Sequence, residues 1–82
     1  MPVSAAVLAP SVDPVATFIT VADSMARAQG DAGLSAFVAD NAILVGASVA
    51  TLLDVAFQVS QGGDNAAADE NVAFAKKVAA AH

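Results

Sequence analysis

Eighty-two residues allow one domain at most, and 57% of them are hydrophobic while only 13% carry charge. A net charge of −5, with Arg27, Lys76 and Lys77 as the only cations besides His82, excludes the clustered positive charge that nucleic acid needs. It also gives little attraction to anionic lipid. There is no cysteine, which excludes a disulfide scaffold, a thiolate nucleophile and a zinc ribbon.

The apolar residues are small. Alanine fills 22 positions, and four Phe are the only aromatic side chains. Scaling laws give a compact chain of this mass roughly 4,500 Å² of surface against roughly 11,600 Å² unfolded. A core built largely from methyl groups is a weak reason to fold alone, so the composition predicts association.

Residues 1–10, MPVSAAVLAP, have no basic start and only a brief apolar run, so no secretory signal is expected here. Pro2 and Pro10 keep the segment from being helical throughout. Residues 1–12 therefore read as an extended arm, either a frayed tail or a segment whose Val3, Val7 and Leu8 lie across a neighbouring subunit. Residues 13–82 read as a single helical domain.

Asp13 and Pro14 mark the start of a first helix over about 14–29, with the carboxylate as cap and proline at the first helical position. Val15, Phe18, Ile19, Val21, Ala22, Met25 and Ala26 share one face, and Thr17, Thr20, Asp23, Ser24 and Arg27 the other. Asp23 and Arg27 stand four apart in the favourable acid-first order. Gly30 suits the residue just past the end. The short connection over residues 30–33 favours an antiparallel helical hairpin, with Asp31 or Ser35 as the next cap.

The second helix is predicted over residues 34–61, LSAFVADNAILVGASVATLLDVAFQVSQ. Asp40, Asn41, Ser48, Thr51, Asp54, Gln58 and Gln61 fall on one arc, with Phe37, Leu44 and Val55 near it. Val38, Ala42, Val45, Val49, Leu52, Leu53 and Ala56 lie opposite and form the candidate interaction face. A helix apolar over most of its circumference wants neighbours on more than one side. Gly46, Ala47, Ser48 and Ala50 add a small-residue patch where another helix can come close. Gly62-Gly63 stops the helix.

A third helix is predicted over residues 65–81, with Asp64, Asp69 and Glu70 early and Lys76, Lys77 and His82 late, matching the helix dipole. Its apolar face is Val72, Ala75, Val78 and Ala79, extended by Phe74. The expected fold is thus all-α: a helical hairpin plus a third C-terminal helix in a small up-down bundle.

No constellation in the chain names an activity. His82 is the terminal residue, where nothing holds a general base in reach of a proton. Asp64, Asp69 and Glu70 lack the ligand spacing and turn glycine of a calcium loop. Gly62-Gly63 is not followed by the Lys-Ser/Thr of a phosphate loop. Asp40 and Asp54 read as a solvated stripe, or else as carboxylates that meet Arg27 or a lysine of another subunit. No enzyme activity, cofactor, metal or small-molecule substrate is expected.

The sequence therefore points to a structural or assembly subunit, packing on copies of itself or on a larger assembly such as a virion or phage particle, a filament or a compartment. This favours an intracellular or particle-associated location. One alternative is a membrane-associated accessory subunit. The mean hydropathy of +0.67 invites it, but the uncharged run from Asn41 to Leu53 spans only 13 residues, short of the roughly 18 of a membrane span. A soluble protein-binding module with a groove between the first two helices is the other alternative.

Overall fold

A computed structural model of the chain describes residues 13–82, and the expected extended arm, residues 1–12, lies outside them. The described residues form a small all-α bundle without strands: α1 (Pro14–Asp40), a 3-10 turn (Ala42–Leu44), α2 (Val45–Gln61) and α3 (Asn65–Ala81).

α1 begins as its sequence dictates. The Asp13 carboxylate accepts a hydrogen bond from the Ala16 amide at 3.0 Å, and Pro14 takes the first position. The helix is not straight. At Gly30 the backbone has φ 69° and ψ −159°, which only glycine adopts without strain, and the helix divides into arms 14–29 and 31–40. The expected connection over residues 30–33 thus contracts to one residue.

The predicted second helix is broken as well. At Asn41 (φ −129°, ψ 34°) the side-chain amide donates to the Phe37 carbonyl at 2.9 Å. The Asn41 backbone N–H is shared between the carbonyls of Phe37 and Val38, and Leu44 N–H bonds back to the Asn41 carbonyl to form the 3-10 turn. Asparagine competes for backbone partners in this way, and here that competition ends one helix and starts another. The helical register therefore does not run unbroken from Leu34 to Gln61.

The α2–α3 connection is tighter. The Asp64 N–H bonds to the Val59 carbonyl and the Gly63 N–H to the Ser60 carbonyl, each at 3.0 Å, with Gly63 at φ 93°. This is a Schellman closure. The Asp64 carboxylate then caps α3 by accepting from the Ala67 amide at 3.0 Å. One residue thus ends α2 and begins α3, and these two helices share the most extensive contact in the bundle.

The core lies where the two arms of α1 meet α3 and the start of α2. Phe18, Ala22, Leu34, Phe37, Val38, Val45 and Val78 are buried together, with Ile19, Met25, Val49 and Phe74 packed around them. Phe37, which sequence spacing placed near the polar arc, is fully enclosed. The break at Asn41 explains this, because Phe37 belongs to the α1 arm and takes its orientation from it. The molecule remains open for its size. Its radius of gyration is 12.7 Å, against about 11 Å for a compact chain of seventy residues.

Candidate interaction surface

α2 carries the densest apolar sequence, and its packing divides that apolar surface in two. Toward the bundle it buries Val45, Ser48, Leu52 and Ala56, spaced three or four apart on one face. The residues of the expected interaction face are accordingly distributed. Val38, Val45, Leu52 and Ala56 are buried in the chain's own fold, Val49 is half-buried, and Ala42 and Leu53 are exposed.

The larger outward apolar surface lies elsewhere. Ile43 is 94% exposed, Phe57 63%, Leu53 45% and Val55 38%. Leu53 and Phe57, together with exposed Gly46 and Ala50, form a stripe rotated about 125° from the buried face at 100° per residue, and Ile43, in the 3-10 turn that leads into α2, extends it at its N-terminal end. Of this stripe, the expected face contained only Leu53. Ile43 and Phe57 fall between the centre of the polar arc and the centre of the apolar arc opposite it, so neither belongs to the apolar side when the helix is divided into two faces. The 3-4-3-4 spacing of residues 43, 46, 50, 53 and 57 was the signal available to find them.

Beside the stripe runs a polar flank of Thr51, Asp54, Gln58 and Gln61, all exposed. The Gln58 side-chain amide donates to the Asp54 carboxylate at 2.9 Å. Asp40 is exposed too. Ser48 and Asn41, placed on the polar arc by sequence spacing, are both buried. Ser48 Oγ has no hydrogen-bond partner, so α2 turns one of its few hydroxyls into the bundle unsatisfied.

The remaining features carry less chemistry. A groove between α1 and α3 is lined by Ile19, Asp23, Arg27, Glu70 and Phe74, together with Leu52 of α2. Arg27 Nε is paired there with Asp23 Oδ2 at 2.9 Å, both side chains well exposed. A second hollow lies between Asp31, Leu34 and Ser35 on α1 and Lys77, Ala80 and Ala81 on α3. Among the described residues no three His, Asp or Glu side chains converge to hold a metal ion. Asp64, one of the early acids of α3, serves as its cap, and His82 is exposed at the chain end.

The stretch Ala42–Gln61, 20 residues of mean hydropathy 1.9 and mostly uncovered by the bundle, is long and apolar enough by length and composition to cross a membrane. No protein-family model, curated protein or solved structure matches this chain.

Proposed function

We propose that the protein is a non-enzymatic structural or assembly subunit, held to copies of itself or to a larger protein assembly through the outward face of α2. The observation that carries this reading is the stripe of Ile43, Leu53 and Phe57, which the bundle leaves uncovered. Large apolar side chains aligned on one helix face mark contact surfaces, whereas the same residues scattered singly need no explanation. The Ala-rich composition supports the reading too, because a thin core gains from surfaces supplied by a neighbour. The test is the size of the native particle. Extracted under native conditions, the chain is expected to migrate in a complex well above its own 8.0 kDa, and Phe57→Asp is expected to release it. A native species of monomer size overturns the proposal.

A second reading, a membrane-associated accessory subunit, is favoured by the hydropathy of Ala42–Gln61. Against it stands Asp54, near the middle of that stretch. Its charge would cost about 2.5–3.5 kcal/mol at the bilayer centre on insertion scales. Retention of the chain in the membrane pellet after carbonate extraction would favour this reading over the first.

A further inference from the structure

We propose that the stripe on α2 is the seam of a homodimer, in which α2 of one copy lies antiparallel to α2 of a second about a two-fold axis through Ala50. This rests on the assembly reading above and names the occupant of its surface.

Ile43, Gly46, Ala50, Leu53 and Phe57 repeat at intervals of three, four, three and four, the spacing of a knobs-into-holes seam. A two-fold axis through Ala50 sets Ile43 level with the second copy's Phe57 and Ala50 with itself, and brings its Leu53 within one residue, about 1.5 Å of rise, of Gly46. The pairing is complementary in size. A Cβ built on Gly46 would meet nothing within 4 Å, so the position is open to receive a leucine from outside. A parallel pair would instead set Phe57 against Phe57 and Gly46 against Gly46, with excess bulk at one end and a gap at the other.

Charge favours the same arrangement. Asp54 is the only charged residue of α2. In the antiparallel pair it lies level with Gly46 of the second copy. The two Asp54 residues are then eight positions apart along the helix, about 12 Å, beyond the roughly 8 Å screening length at physiological salt. A parallel pair brings them to the same level. Thr51, Asp54, Gln58 and Gln61 stay in water beside a second helix, whereas a bilayer would have to cover them.

The area is sufficient. Taking about 200 Å² for a large apolar residue, the exposed parts of Ile43, Leu53 and Phe57 leave on the order of 400 Å² per copy. A pair thus covers on the order of 800 Å² from these three side chains alone, and Gly46, Ala50 and the flanking side chains raise that toward the roughly 1,000 Å² of a specific interface.

The absence of cysteine makes the test direct. Single-cysteine variants Ala50→Cys, Gly46→Cys and Leu53→Cys are purified, checked for unchanged helicity by circular dichroism and mildly oxidised at micromolar concentration. Ala50→Cys is expected to cross-link to double mass. Gly46→Cys and Leu53→Cys are each expected to remain single alone and to cross-link when mixed. Self-cross-linking of Gly46→Cys and Leu53→Cys alone means parallel pairing and overturns the geometry. The unsubstituted chain is sedimented in parallel and floated with phosphatidylcholine vesicles. A monomer in sedimentation, or flotation without cross-linking, overturns the homodimer even if a cysteine variant fails to fold. A monomer that still enters a large native particle leaves the assembly reading standing with a different partner.

Discussion

The rings of Phe18 and Phe37 meet with their centroids 5.0 Å apart and their planes inclined at 41°. Nineteen residues of straight helix would hold them about 28 Å apart. The contact therefore requires the two arms of α1 to fold back on each other at Gly30, forming a hairpin joined by a single residue. It is also the largest aromatic contribution to a core otherwise made of Ala, Val and Leu.

Removing either ring should be severe. Phe37→Ala is expected to cost about 3–5 kcal/mol, enough to leave a domain of this size largely unfolded. Thermal or urea unfolding followed at 222 nm measures it. A loss below about 1 kcal/mol would mean that the arms are held together by something other than this contact.

The two glycines Gly30 and Gly46 should answer the same substitution with opposite signs. Neither has a neighbour within 4 Å of an added Cβ, so only the backbone decides. Gly30→Ala is expected to destabilise by about 1–3 kcal/mol, because its dihedrals lie in a glycine-only region. Gly46→Ala, inside a helix, is expected to stabilise the monomer by about 0.5–1 kcal/mol. Denaturant midpoints of the two variants, measured below the association range, provide the comparison.

Ser48→Ala should strengthen the fold. The hydroxyl is fully buried without a partner, and leaving such a group unsatisfied costs about 1–3 kcal/mol. A rise in the unfolding midpoint worth about 1 kcal/mol is expected. A fall of that size would reveal a hydrogen bond for Ser48 that forms in solution.

Two charge substitutions on α2 separate folding from association. Val49→Asp places a carboxylate against the core cluster and is expected to abolish both the fold and the assembly. Phe57→Asp, on the outward stripe, is expected to change monomer stability by less than about 0.5 kcal/mol while abolishing association. Circular dichroism and sedimentation velocity on the same samples report the two effects.

Asp54→Ala should be nearly silent in the monomer. The carboxylate is exposed and accepts one hydrogen bond from Gln58, four residues on, a pairing worth about 0.2–0.5 kcal/mol. A loss of several kcal/mol on equilibrium unfolding would place Asp54 in a buried polar contact within an assembly.

Local chemistry made much of the fold legible in the sequence. Asp13-Pro14, the Asp23–Arg27 pair, Gly30 and Gly62-Gly63 each act through neighbours in the chain, and each stands in the structure where its chemistry requires. Asn41 was not legible as a break. It lies in Asp-Asn-Ala-Ile-Leu, with no Gly or Pro, and stops the helix through the bond its side chain makes to Phe37. Nor could spacing choose the inward face of α2. When Val, Leu and Ala surround a helix nearly all the way round, several arcs are equally apolar, and only contact with α3 decides which is buried. That is why Val45, Leu52 and Ala56 serve the fold while Ile43 and Phe57 face outward.

Because Asp64 serves both helices that it joins, there is no slack between α2 and α3. A load that twists or tilts α2 must be transmitted to α3 as to the second limb of a stiff lever. It would arrive at Val78, in the aromatic centre of the molecule. Under the proposed assembly, a neighbour held on the outer side of α2 would thus act on the innermost packing as well, and attachment and folding would be mechanically coupled.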